Sequence, residues 1–230
     1  MHPTAMINAK SFFDCYSKFV TSTAPVKVVE IGSQDVNGSL RGYCPENFQY
    51  IGVDFVVGKG VDIVLVDPYT LPFETGTVDI VISSSCLEHS EMFWVVFLEI
   101  MRVLKPNGLF YMNVPSNGDF HRYPVDCWRF YPDSGRALVT WAKRNGINVA
   151  LLESYTSKQV DDIWNDFVAV FIKDESHASQ YPDRILDTKK DFTNGLTLNR
   201  DDFLNFCVTP EGEKRKSKIS QLATVLFSRN

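Results

Sequence analysis

The feature that most constrains the fold is a series of short apolar, β-branched runs, each closed by a glycine, proline or small polar residue. Residues 26–31 stop at Gly32, residues 50–54 at Asp54, residues 62–66 at Asp67 and Pro68, residues 78–82 at Ser83, and residues 109–114 at Pro115. Runs of this length, mostly apolar, suit strands buried on both faces. Helical spacing appears around them. Residues 7–20 place Phe12, Phe13, Tyr16, Phe19 and Val20 on one side, and residues 91–104 and 133–145 read as further helices. Gly146 stands where a helix C-cap is expected. A short helix fits residues 37–43, and late strands fit residues 148–152 and 167–172. Residues 174–209 show no clear period and are expected to wrap the domain. A terminal helix is expected over residues 211–227, with Lys214, Arg215, Lys216 and Lys218 on its solvated face. Strands alternating with helices predict an α/β fold, a Rossmann-like, mostly parallel sheet covered on both faces. In such a sheet the ligand lies beyond the carboxyl ends of the strands, near the switch in strand order.

The chain has 230 residues, 44% of them hydrophobic, and a net charge of −5. That length suits a single domain, divided as an N-terminal helix over residues 1–24, a core over 25–174 and an extension over 175–230. The acidic balance argues against a nucleic-acid partner, because phosphate binding relies on Lys and Arg. Cys15, Cys44, Cys86, Cys127 and Cys207 are scattered without a C-x-x-C pair, which predicts free thiols in a reducing compartment. Residues 1–4 lack the basic and apolar regions of a secretory signal. The most apolar stretch, residues 92–104, is interrupted by Glu99 and Arg102 and is shorter than the ~20 residues of a membrane span. A cytoplasmic protein without a membrane span is expected.

The polar residues at the strand ends suit a nucleoside cofactor. Gly32 and Gly38 let a backbone approach a ligand closely. Asp54, at the end of the second strand, offers a carboxylate to two ribose hydroxyls, at a separation from Glu30 near that of a βαβ unit. Asp67 is placed to accept from an adenine amino group. A dinucleotide site is disfavoured, because the run Gly32-Ser33-Gln34-Asp35-Val36-Asn37-Gly38 lacks the G-x-G-x-x-G spacing.

Residues 28–38, Tyr50-Ile51-Gly52-Val53-Asp54, Asp67 with Leu71-Pro72-Phe73, Val78-Asp79-Ile80-Val81, Leu87-Glu88-His89 and residues 102–108 resemble the successive motifs of class I S-adenosylmethionine-dependent methyltransferases of the small-molecule type. The resemblance covers residues 26–115. It implies a seven-stranded sheet whose last strand inserts antiparallel. It implies S-adenosylmethionine as cofactor, with Glu30 and Gly32 near its methionine part, Asp54 on the ribose and Asp67 near the adenine. The neighbours Ser33, Gln34, Phe55, Pro68, Ser84 and Ser85 complete the expected cofactor set. Gln34 departs from the family loop, which carries a second glycine there.

The segment from Asp119 to Pro132 follows the fifth strand and is dense in polar and aromatic groups. Its His-Pro-Asp-Trp-Arg-Phe pattern resembles one found in methyltransferases associated with glycan or sugar modification. An alcohol acceptor needs its proton removed, and histidine is the natural base near neutral pH. His121 and His89 are the candidates, with Asp126 as base or orienting group. Asp119, Arg122, Tyr123, Trp128 and Arg129 are expected to meet a small-molecule or glycan acceptor. Asp119, His121 and Asp126 include metal-ligating types without a recognised ligand spacing, so a divalent metal is not expected. The expected reaction is O-methylation of a hydroxyl. The alternatives are methylation of a small-molecule nitrogen or carboxylate, or a non-catalytic binding subunit that keeps the fold.

Overall fold

The apolar runs become strands in a computed structural model that describes residues 2–22 and 24–208. The strands are β1 (Lys27–Ile31), β2 (Gln49–Asp54), β3 (Ile63–Val64), β4 (Val78–Ser84), β5 (Leu104–Pro115), β6 (Ala150–Ser157), β7 (Asp166–Ile172) and β8 (Phe192–Thr197). They form one sheet in the order β3-β2-β1-β4-β5-β7-β6-β8. The first five run parallel to one another. β7 inserts antiparallel between β5 and β6, as the resemblance implies.

The sheet has eight strands where the resemblance implies seven, β5 and β6 run longer than expected, and two strands differ most. β8 falls in residues 174–209, where no strand is predicted, and pairs antiparallel with β6 at the sheet edge. Its sequence carries Asn194, at a φ of 51°, and Gly195, both weak strand formers. The β6 ladder, not local propensity, makes this segment a strand. β3 shrinks to two residues. Asp62 leaves the expected run because its carboxylate accepts from the Gly52 amide at 2.7 Å and pairs with Arg41 at 2.5 Å.

The α-helices are α1 (Pro3–Tyr16), α2 (Phe93–Val103) and α3 (Ser134–Arg144). α1 begins before residue 7 because Pro3 sits in its first turn, where a missing N–H costs nothing. Residues 37–43 give only a 3₁₀ turn over Leu40–Tyr43, started by the Ser39 hydroxyl accepting from the Arg41 amide. One sheet face is therefore covered by α1, whose Phe12, Phe13 and Tyr16 pack in one cluster with Val28, Ile80, Tyr111 and Val168. The other face packs Val96, Phe97, Ile100 and Met101 of α2 and Leu138 and Ala142 of α3 on Val29, Val81, Phe110 and Phe171. Each large apolar side chain buried this way contributes about 1.5–3 kcal/mol. Gly146, at a φ of 78°, closes α3 with its amide on the Lys143 carbonyl. The helix expected over residues 211–227, with its basic face, lies outside the described residues. Among the described residues no helix is long and apolar enough to cross a membrane. Cys15, Cys44, Cys86 and Cys127 are free thiols.

Candidate functional site

The parallel strands bring Ile31, Asp54, Ser84 and Pro115 to one edge of the sheet, where a cavity of about 610 Å³ opens. The strand order reverses between β1 and β4, so the cavity lies at the switch point.

One half of the cavity is built by the glycine loop. Gly32 has a φ of 78°, and a Cβ there would stand 2.5 Å from the Cys86 Sγ. Both facts demand glycine. The Gly32 and Ser33 amides donate to the Val53 carbonyl at 3.0 and 3.2 Å, tying the loop to β2. The Gln34 amide donates to Asp54 Oδ2 at 3.1 Å, and the Val56 amide to Oδ1 at 3.3 Å. The Asp54 carboxylate is thereby fixed at the wall with lone pairs to spare. Within this loop positive φ is confined to Gly32 and Gly38, so Gln34 needs no glycine. The Asp35 side chain closes the turn by accepting from the Gly38 amide at 2.8 Å. Phe55, Leu65, Pro68 and Tyr69 form an apolar wall beside Asp54.

The other half comes from the turn Leu87–His89 and the segment that follows β5. His89 and His121 meet edge to face, with ring centroids 4.9 Å apart. Nδ1 of His89 lies 2.5 Å from the Val125 carbonyl, and Nδ1 of His121 lies 3.0 Å from the Asp119 carbonyl. A carbonyl only accepts, so both rings donate from Nδ1 and keep a lone pair on Nε2. Burial holds the His89 pKa below its ordinary value, which keeps that ring neutral. The Glu88 carboxylate is buried beside them, with Oε1 3.7 Å from His89 Nε2 and no hydrogen bond to Oε2. Burial pushes its carboxyl up to about 8. Tyr123 links the two halves by donating its hydroxyl to Gln34 Oε1 at 3.1 Å.

The cavity wall includes Gly32, Gln34, Asp54, Phe55, Pro68, Ser84, Ser85, His89, His121, Arg122 and Tyr123 from the expected set. The others face elsewhere, for local reasons. Glu30 points to the opposite sheet face, where the Tyr50 hydroxyl donates to it at 2.6 Å. Ser33 is buried behind the loop. Asp67 turns into its own turn, accepting from the Tyr69 amide and the Thr70 hydroxyl at 3.0 and 2.8 Å. Asp126 is spent on Arg129, with contacts of 2.6 and 2.8 Å, and on the His121 amide at 2.7 Å. The Arg129 hydrogen bond is the main reason its carboxyl is held down to about 2, which removes it as a base near neutral pH. Arg129 also binds the Asp119 carbonyl at 2.8 Å, so this pair folds the loop that presents His121. Trp128 packs against Phe93 and Trp94 and donates to the Ser90 carbonyl at 2.8 Å. The metal set of Asp119, His121 and Asp126 therefore does not assemble at the cavity.

Among the wall residues not assigned to the site from sequence, Glu88, His2 and Trp164 carry polar or aromatic chemistry. Glu88 sits beside His89 in the turn, and its signal was its place in the Leu87-Glu88-His89 motif. His2 and Trp164 reach the wall from distant segments, with ring centroids 5.8 Å apart, and His2 Nδ1 lies 3.1 Å from Asp162. No local pattern marks either.

Residues 34–112 match the family described as a methyltransferase domain. The fold agrees: the Burkholderia thailandensis 1,6-didemethyltoxoflavin-N1-methyltransferase, solved with 1,6-didemethyltoxoflavin and S-adenosylhomocysteine, superposes with a TM-score of 0.56. The chain has the fold of this methyltransferase, and the family match lies within it. That enzyme is 16% identical over 74% of this chain and 79% of its own. The YcgJ protein of Bacillus subtilis shares the fold at a TM-score of 0.51, with 14% identity over 76% of this chain and all 100% of that one. The [4+2]-cyclase SpnF matches at 0.51, with 14% identity over 72% of this chain and 81% of that one. The methyltransferase fold thus also carries a cyclase, and the reaction is argued from the site. No curated protein matches the chain.

Proposed function

We propose that this protein transfers the methyl group of S-adenosylmethionine to a hydroxyl of a small acceptor, with a sugar or glycan terminus as the acceptor class. The observation that carries the reading is the two-sided cavity, with Asp54 and the glycine loop on one side and the His89–His121 pair on the other. The donor set fits the cofactor. Asp54 suits two adjacent ribose hydroxyls, Gly32 keeps the loop clear of a Cβ, and the wall of Phe55, Leu65, Pro68 and Tyr69 suits a flat base. When bound, the cofactor supplies an activated methyl group on a sulfonium.

The protein's own work is then to hold the acceptor in line and to dispose of its proton. The Nε2 lone pairs of His89 and His121 face that task, and Asp126 and Arg129 act on it only by positioning His121. Tyr123 and Trp164 give the acceptor side aromatic surface, which suits the apolar face of a sugar ring.

Calorimetric titration of the full chain with S-adenosylmethionine tests the cofactor half. Binding is expected, weakened several-fold or more by Asp54→Ala. No binding at millimolar cofactor overturns the reading. A methyl-transfer screen on sugars and glycan fragments tests the acceptor half. There His121→Ala is expected to abolish turnover while cofactor affinity holds.

A further inference from the structure

Glu88, His89 and His121 offer one ligand atom each, a carboxylate oxygen and two ring nitrogens, all within 4.8 Å of one another. They are the only group of three metal-capable side chains of this kind among the described residues. We propose that these three side chains hold a divalent transition-metal ion, such as zinc, on the acceptor side of the cavity. The inference rests on the methyltransferase reading for its role and on the three side chains alone for its existence.

Three independent features support the site. The first is ligand chemistry: two histidines and one carboxylate, with the remaining positions open to a cavity, is the make-up of a metal centre that takes an exogenous oxygen ligand. The second is outer hydrogen bonding. Metal-binding histidines fix their ring by donating the other N–H to a carbonyl or carboxylate. His89 does this at the Val125 carbonyl and His121 at the Asp119 carbonyl, at 2.5 and 3.0 Å. Nε2 is left for a ligand in both rings. The third is an orphaned group. Glu88 is 1% exposed, and its Oε2 has no hydrogen-bond partner. A buried carboxylate oxygen without a partner costs free energy unless something binds it. The positively charged neighbour Arg129 spends both Nη atoms on Asp126.

The distances are those of a site that closes on its ion. Bonds of ~2.1 Å to a tetrahedral zinc separate ligand atoms by about 3.4 Å. Glu88 Oε1 and His89 Nε2 already stand 3.7 Å apart. His121 lies on a segment without helix or strand, which can supply the remaining approach. An ion here meets the acceptor where it enters and lowers the proton affinity of a hydroxyl bound to it. The lone pairs of the two imidazoles then serve as ligands, and the hydroxyl proton leaves to solvent.

The test uses the full chain freed of metal with a chelator and titrated calorimetrically with zinc chloride, alongside the visible spectrum of the cobalt(II)-loaded protein. One zinc per chain is expected, and Glu88→Gln and His121→Ala should each weaken it at least ~10-fold. Melting curves of metal-free variants separate ligand loss from misfolding. His89→Gln serves as the third variant if either of the others melts early. Zinc binding that persists unchanged in folded variants overturns the proposal, as does the absence of zinc binding to the wild-type chain. S-adenosylmethionine titration of the metal-free protein is scored separately. Cofactor binding without zinc binding refutes the metal and leaves the methyltransferase reading standing. Zinc binding without cofactor binding does the reverse.

Discussion

Glu30 is a carboxyl group whose cost can be measured. It is the penultimate residue of β1, 1% exposed, with the Tyr50 hydroxyl 2.6 Å from Oε2 and no partner for Oε1. Burial raises its pKa from 4.5 to about 7, against the smaller opposing effect of the Tyr50 hydrogen bond. The folded chain therefore keeps a proton that the unfolded chain has released between those two values. Stability is lost as pH rises through that window, and the full deficit is present above pH 7. At about 1.4 kcal/mol per pH unit, the deficit is about 3 kcal/mol. Glu30→Gln removes the ionisation and keeps a carbonyl for the Tyr50 hydroxyl. Urea unfolding of both chains from pH 4 to pH 8 checks the prediction. Other titrating groups occur in both chains and cancel in the difference. The variant is expected to gain about 3 kcal/mol on the wild type over that range. A stability difference that stays flat with pH refutes the reasoning, whatever its absolute size.

Two further substitutions follow from the same geometry. Gly32→Ala places a Cβ 2.5 Å from the Cys86 Sγ at a φ of 78° and is expected to cost about 1–3 kcal/mol by urea unfolding, with weaker S-adenosylmethionine binding; wild-type stability and affinity would contradict this account of the loop. Asp126→Asn breaks the two-pronged contact with Arg129 and is expected to lower turnover by at least ~10-fold while leaving cofactor affinity unchanged; an equal fall in both would move Asp126 from positioning His121 to shaping the cofactor half.

The fold was legible where local chemistry and tertiary structure agree. Residues 26–32 and 50–54 read as strands ending in Gly32 and Asp54 because an apolar run closed by a turn residue has few other uses. β8 was hidden for the opposite reason: Asn194 and Gly195 argue against a strand, and only the exposed edge of β6 makes one. Asp67 shows how one pattern serves two purposes. A carboxylate before Pro68 and three residues before Thr70 is good ligand chemistry and equally good turn chemistry, and the turn takes both oxygens.

The acceptor segment sharpens this distinction. Its density of charge and aromatic rings marked residues 119–132 as functional, yet that density has two origins. Asp126 and the two Nη atoms of Arg129, three apart in sequence, are spent on each other and the backbone around them, so they are the interior of the loop. His121, Arg122 and Tyr123 are what the loop presents to the cavity. Composition cannot separate the two, because a long segment without helix or strand needs charged pairs to hold its shape as much as a site needs charged groups to act. The separation comes from hydrogen-bond accounting. Side chains that spend their charged atoms internally build the loop, and those left with a lone pair toward the cavity do its chemistry. By that criterion the working groups of the acceptor half are His89 and His121, each with Nδ1 spent on a carbonyl and Nε2 left over, together with Glu88, whose Oε2 has nothing to accept from. Glu88 and His89 are neighbours in sequence, but His121 joins them only because Arg129 holds the Asp119 carbonyl and Asp126, and Asp126 accepts from the His121 amide. The site is thus a product of the loop's own ion pair, which is why His89 and His121 were visible in the sequence one at a time and their association with Glu88 was not.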